Sequence, residues 1–300
     1  MLHIIYRSYG GENKKGRPEY YSKHLALASA VRAFQSLEPG QAELLFLNDG
    51  PIPDDRLRLM EQSGEIIARS QMGLRGSMRN ALALPSERGW PADDLVWLAE
   101  DDYLYLPQAF SGLLAAASAF PEADYFGLYA RIGDRLPNGM VSVEERLPRS
   151  WSGSEPVAVL GHPWRRALSV TSTFGARVKP LIEDRAMMHR AMQSGGAWDE
   201  TTCLIYQGHF PYPLATLMRP FQGFRDAKGG LVRNVAAMAV RAGMNVYPPL
   251  RALTGVHNRV LVAPDPALST HLETAYLSTG TDWSAFAADM QTWLGGRKAA

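Results

Sequence analysis

The fold of this chain turns on one stretch, Leu95-Val96-Trp97-Leu98-Ala99-Glu100-Asp101-Asp102-Tyr103-Leu104-Tyr105-Leu106-Pro107. Five apolar residues bounded by three acids read as a buried strand that runs out into a polar turn. Adjacent carboxylates repel one another unless something positive sits among them. A hard divalent cation, Mg²⁺ or Mn²⁺, is the usual solution, held by one or two carboxylates and by phosphate oxygens. The triplet also reads as a solvated turn leading into a helix that starts after Pro107.

Outward from this stretch the pattern repeats. Leu2-His3-Ile4-Ile5-Tyr6 is a short apolar run stopped by Ser8 and Gly10-Gly11. Glu43-Leu44-Leu45-Phe46-Leu47 is another, stopped by Asn48-Asp49-Gly50-Pro51. Helical spacing from Ser22 to Leu37, from Asp54 onward and from Ser77 to Leu84 separates these from further strands near Glu65, Leu95 and Tyr125. Near-continuous apolar strands alternating with helices predict an α/β fold, a mostly parallel sheet covered on both faces. Ligands bind such sheets at the carboxyl ends of the strands. That rule singles out Arg7-Ser8-Tyr9, Asn48-Asp49-Gly50 and Glu100-Asp101-Asp102.

The rest of the composition narrows the function classes. With 300 residues, 46% of them hydrophobic, the chain has enough apolar material for a full core. Lysine plus arginine (31) nearly balances aspartate plus glutamate (30), so no basic excess argues for nucleic acid or for an anionic membrane. The single Cys203 allows neither an internal disulfide nor a cysteine-based zinc site. No run of eighteen apolar residues predicts a transmembrane segment, and MLHIIYRSYGG does not read as a signal peptide. A cytoplasmic protein is the expectation, with a peripheral membrane contact left open.

Ser8, Asn48-Asp49-Gly50, the Arg79-Asn80 pair in RGSMRNALAL and Glu100-Asp101-Asp102 before Pro107 occur in an order that resembles the glycosyltransferases of the GT-A (Rossmann-like) fold, family 2 above all. The resemblance covers roughly residues 1–130, and Glu100 departs from the first Asp of the family's Asp-x-Asp pattern. It implies a nucleotide-sugar donor, a glycan or other hydroxyl acceptor, and Mn²⁺ or Mg²⁺. Ser8, Tyr9, Asp49, Arg79, Glu100 and Asp101 would contact the nucleotide. Asp102 would ligate the metal, joined by a late histidine, His271 or His257. Residues 1–130 would form the nucleotide-sugar-binding half and 131–300 the acceptor-binding and catalytic half of one domain.

In that second half, Trp198-Asp199-Glu200-Thr201-Thr202 stands where the family carries its acidic base. An acceptor hydroxyl needs such a base because it is a poor nucleophile until deprotonated. Asp199 is the first choice and Glu200 the reserve, whereas Glu183-Asp184 reads as the solvated face of a helix. Arg131 to Pro163 reads as a long loop or hairpin region, and with the aromatic, proline-rich Gly208 to Gly230 stretch it is expected on the acceptor side. His162, Trp164 and Arg165 supply an aromatic face and a cation for an acceptor. Trp283, Phe286, Met290 and Trp293 share one face of a C-terminal helix that docks on the core. Two other readings remain: a sugar nucleotidyltransferase, whose glycine-rich phosphate loop the stretch from Gly10 to Arg17 could imitate, and a non-catalytic nucleotide- or carbohydrate-binding protein of the same fold.

Overall fold

Both faces of β1 (Leu2–Tyr9) are buried from Leu2 to Ser8, which makes it the spine of a sheet. The computed structural model describes residues 1–69, 72–142, 147–194, 197–217 and 231–298. After β1 come α1 (Lys23–Gln35), β2 (Ala42–Asp49), α2 (Asp54–Glu61), β3 (Glu65–Arg69), α3 (Gly73–Arg88), β4 (Leu95–Glu100), β5 (Tyr103–Tyr105) and α4 (Ala109–Ala119). The second half supplies β6 (Tyr125–Phe126), β7 (Ala130–Arg131), β8 (Val157–Val159), β9 (His162–Arg166), β10 (Ser169–Val170) and β11 (Phe174–Arg177). It ends with α5 (Val178–Ala191), α6 (Trp198–Tyr206), α7 (Leu214–Leu217), α8 (Leu231–Met244), α9 (Tyr247–Leu253), β12 (Leu261–Pro264), β13 (Ser269–His271) and α10 (Trp283–Lys298).

Nine strands form one sheet in the order β3-β2-β1-β4-β11-β6-β12-β9-β8. Within it β3, β2, β1 and β4 are parallel neighbours, and among the described strands β11 and β9 alone run against the common direction. The mostly parallel α/β sheet expected from the sequence is therefore what the chain forms. Register puts Tyr9 opposite Asp49 and Arg7 opposite Glu100, so the three polar clusters end at one edge. Strand order reverses between β1 and β4, the kind of place where open α/β sheets bind ligands.

Alternation along the strands builds a core on each face. Leu2, Ile4, Tyr6, Phe46 and Trp97 point toward α1, α4 and α10, whereas Ile5, Leu47, Val96 and Leu98 point toward α3, α5 and α6. Each such side chain contributes roughly 1.5–3 kcal/mol when fully buried. Ser22 starts α1 by accepting the Leu25 N–H at 3.0 Å. Gly89, at φ 63°, closes α3 in the left-handed conformation that favours glycine. Trp283, Ala287 and Met290 of α10 are buried against the first core, as the aromatic stripe predicts.

Three features change or sharpen the sequence reading. The strand expected from Tyr125 to Tyr129 lasts two residues, and beyond it the Leu128 carbonyl accepts the N–H groups of Leu268 and Ser269. Arg131 to Pro163 follows the hairpin half of its reading in part: β7 pairs with β10, and β8 forms an antiparallel hairpin with β9 at the edge of the main sheet. Finally, β13 pairs antiparallel with β5 and sets His271 opposite Tyr103, directly beyond the acidic triplet. Of the segment from Gly208 to Gly230, expected on the acceptor side, residues 218–230 lie outside the described residues.

Candidate functional site

Each acid of the triplet has its own cation. Glu100, at the end of β4, faces Arg7 of β1 at 3.3 Å and accepts the Ser172 hydroxyl at 3.1 Å. Arg7 is itself fixed by the Ser77 hydroxyl and the Leu74 carbonyl of α3. Burial pushes the Glu100 carboxyl up, opposed by Arg7 and reinforced by Asp102. Asp101 is a structural hub. Its Oδ2 accepts from the Ser8 hydroxyl (3.2 Å), the Tyr9 N–H (3.0 Å) and the Lys23 ammonium (2.9 Å), with Arg56 at 3.8 Å. Burial raises this carboxyl too, and Lys23 with the Tyr9 N–H only partly offsets it.

Asp102 is different. Its Oδ2 meets Arg17 at 3.0 Å, His271 Nε2 at 3.1 Å and Lys15 at 3.7 Å. Burial would raise its carboxyl, but the His271 hydrogen bond and the neighbouring His271, Lys15 and Arg17 outweigh that and hold it well below the usual carboxylate range. The His271 ring stacks on Tyr103 at 4.9 Å, which fixes its orientation. His271 therefore joins Asp102. His257 does not; it is exposed in the loop before β12, where its carbonyl accepts from Arg251.

Asp199 and Glu200 occupy the first turn of α6, where the helix dipole favours acids. They have separate surroundings. Arg131 binds Glu200 at 2.7 Å and ties β7 to the helix. Glu200→Gln should therefore lower stability by about 1–3 kcal/mol, the worth of a charged hydrogen bond, read as the urea midpoint. Asp199 lines a small cavity with Phe174, Trp198 and Cys203. Burial there, partly offset by the Glu200, Asp199 and Ser172 N–H groups and aided by the charge of Glu100, pushes its carboxyl up to about 6. Ser172 thus stands between Asp199 and Glu100, its N–H toward the first and its hydroxyl on the second.

Other expected residues fall elsewhere. Asp49 ends β2 at the same edge and accepts the Met72 N–H at 2.5 Å, at the start of α3. Arg79 is exposed on α3 beside His189 of α5, whose imidazole burial, then Arg79 and Arg185, hold down. It does not reach the cluster around Ser8. Trp164 is fully buried in the core beneath α4 and presents no face to an acceptor, which corrects the role expected for it. His162 and Arg165 share its strand, four strand spacings from β4, or about 19 Å along the sheet.

Sequence reasoning missed most of the cations. Lys23 carried a signal: a lysine at the first position of a helix opposes the dipole and needs an anion nearby. Here it is almost wholly buried, lies 3.7 Å over the Tyr9 ring and pairs with Asp101. Among the described residues no group of three or more His, Cys, Asp or Glu side chains is arranged to hold a metal. Asp102 with His271 is a two-donor pair.

No protein-family model and no curated protein sequence matches this chain. Solved structures do. Residues 1–349 of TarS from S. aureus, in complex with UDP, align at 10% identity and a TM-score of 0.41 over 68% of this chain and 54% of that one. Glucosyl-3-phosphoglycerate synthase from Mycobacterium tuberculosis, with Mn²⁺, UDP and glucosyl-3-phosphoglycerate, aligns at 12% identity and a TM-score of 0.31 over 42% of each chain. The chain thus spans about half the length, or less, of these neighbours. Likeness at this level carries nothing about substrate, and the fold stands on the chain's own strand order: a mostly parallel sheet, helices on both faces, and a polar site at its carboxyl edge.

Proposed function

We propose that this chain transfers a sugar from a nucleotide-diphosphate sugar to an acceptor hydroxyl, with inversion at the anomeric carbon. The observation that carries the reading is the placement of Asp199 in the first turn of α6 beside Ser172, whose hydroxyl donates to Glu100 of the acidic and cationic cluster at the carboxyl ends of β1 and β4; burial, which pushes the Asp199 carboxyl up to about 6, agrees with it. A base with its pKa near the working pH combines correct ionisation with proton-transfer drive.

The roles follow from position. Ser8, Tyr9 and Asp49 line the strand ends where the nucleoside would lie. Asp101 holds Ser8, Tyr9, Lys23 and Arg56 in place rather than serving as a free ligand. Asp102 and His271 would be the protein donors for Mn²⁺ or Mg²⁺, which takes one or two such donors and completes its shell with phosphate oxygens and water, and the ion would have to take the Asp102 oxygen that Arg17 and Lys15 now face. When bound, such an ion neutralises charge on the leaving diphosphate. Asp199 accepts the acceptor's proton; the acceptor oxygen bonds to the anomeric carbon as the bond to the diphosphate breaks, its electron pair leaving with the phosphate. Ser172 bridges Asp199 and Glu100, and Glu200 anchors the helix through Arg131. His162 and Arg165 flank the acceptor side only for a long acceptor, given their distance along the sheet.

Thermal unfolding with nucleoside diphosphates of each base, with and without Mn²⁺, tests the reading. A ligand at a hundredfold excess over its Kd stabilises the native state by about 2.7 kcal/mol, a shift of several degrees for a chain this size. A shift with at least one diphosphate, together with sugar transfer from its sugar conjugate, is expected. Pyrophosphate release from a nucleoside triphosphate and sugar phosphate would instead mark a nucleotidyltransferase. Binding without turnover of any donor would mark a non-catalytic protein.

A further inference from the structure

The near balance of charge over the whole chain hides a local excess. From residue 201 to residue 264, seven Lys or Arg residues stand against one acid, Asp226. Two of the seven, Arg251 and Arg259, are neutralised by Asp184, and a surplus remains. Helix α9 lies in this stretch, and its two faces are reversed for a helix beside water. The inward face carries Pro248 and Arg251, both buried. The outward side carries the N-cap Val246 with Leu250 and Leu253, spaced i, i+4 and i+7 and 57%, 48% and 85% exposed. Surface helices ordinarily turn their apolar stripe to the core and their charges outward.

Val246 and Leu250 continue into an apolar groove of about 560 Å³, walled by Val240 and Met244 of α8, Tyr247 of α9 and Arg190 of α5. Its lining holds that one cation and no carboxylate. Arg190 is exposed at the rim and donates to the Tyr247 hydroxyl. On the α3 side of α5, Arg185 donates to the Ser86 hydroxyl at 3.4 Å, and Arg79 lies exposed beside His189. Among the described residues none of these three arginines is within ion-pair reach of a carboxylate. The two acids of α5, Glu183 and Asp184, are taken by Arg259 and Arg251. Between the flanks α5 turns Ile182 and Ala186 to water.

We infer that this face, from the α9 groove across the end of α5, docks on a membrane surface that carries anionic phospholipid. Apolar side chains edged by cations suit such a surface: the leucines and valines enter the boundary of the acyl chains while guanidinium groups meet the lipid phosphates. A second copy seated here in a symmetric pair would set the same arginines against one another. No helix among the described residues is long and apolar enough to cross a bilayer, so the attachment is to the surface. This face contains none of the groups assigned to the transfer reaction, and its docking is tested without it.

The test is sedimentation of the full chain with extruded vesicles. Wild type should pellet with phosphatidylcholine and phosphatidylglycerol in equal parts, stay in solution with phosphatidylcholine alone, and come off as salt is raised. Leu250→Glu and Leu253→Glu should each abolish pelleting. Arg185→Gln and Arg190→Gln should each weaken it about fivefold, the worth of one charge near an anionic surface. Both leucines are exposed, so unfolding midpoints should match wild type. Leu253→Ser, which removes the apolar contact without adding a charge, should also bind more weakly. Wild type that stays in solution with the anionic vesicles, or pellets equally with both kinds, overturns the inference. Leucine variants that pellet as wild type does overturn it too. So does a dimer in light scattering that Leu253→Glu dissolves, because the face then belongs to a second copy.

Discussion

Asp199→Asn should transfer sugar about 10²–10⁴ times more slowly than wild type, the usual worth of a positioned base, while its affinity for nucleoside diphosphate stays within a few-fold. Asparagine keeps the size and accepts hydrogen bonds but takes no proton. The pH dependence gives an independent reading. With the carboxyl pushed up to about 6 by burial, wild-type kcat/KM should rise through pH 6 as the base ionises, and the residual rate of the variant should lack that limb. The stability sign runs the other way. A folded pKa above the unfolded one means the native state prefers the protonated form, so this residue's unfavourable contribution grows as pH rises from about 4 to 6. Asp199→Asn should consequently unfold at pH 7.5 no earlier than wild type. That separates a lost base from a lost fold. A fully active Asp199→Asn beside an inactive Glu200→Gln would move the base by one residue, and two fully active variants would remove it from this helix.

The sheet was legible because its information is local. Apolar runs such as Leu44-Leu45-Phe46-Leu47, punctuated by Asn48-Asp49-Gly50, carry their own period and their own stop signals. Once the strands are placed, the rule about carboxyl ends points to the triplet without further data. The partners of the triplet were not legible for the opposite reason. Arg7, Lys15, Arg17, Lys23 and Arg56 are brought to it by chain crossings of about 45–95 residues, and apart from Lys23, whose place at the start of a helix asks for an anion without saying which, nothing in their neighbourhoods states a distant partner. His271 was recoverable only as one of two candidates, because the antiparallel pairing of β13 with β5 that selects it rests on three residues in each strand. Trp164 was misread because an aromatic between Pro163 and Arg165 looks the same on a binding loop as on a strand whose inner face is core.

Asp184→Ala should lower the stability of the chain by about 3–5 kcal/mol, the range for breaking a buried charge network by removing one partner. The sequence reads Glu183-Asp184 as a solvated helix face, and Asp184 is instead almost wholly buried on α5. One carboxylate oxygen accepts Arg251 at 2.6 Å, and the other accepts Arg259 Nε at 3.0 Å and the Tyr125 hydroxyl at 2.9 Å. Asp184 thereby binds α9 and the starts of β6 and β12 to α5. Arg259 keeps Glu183 and Asp124 as partners, so the larger loss falls on Arg251, which keeps the His257 carbonyl and whose side chain is only 10% exposed. The residues involved begin strands whose other ends face the candidate site, so the network sits at the edge opposite Asp102 and Asp199. Guanidinium-chloride midpoints should drop for Asp184→Ala and less for Asp184→Asn, which retains hydrogen-bond acceptance. At 15 °C the folded fraction of each should still bind nucleoside diphosphate as wild type does. A midpoint within 1 kcal/mol of wild type for Asp184→Ala would mean that the two arginines find water, and that the network contributes position without stability.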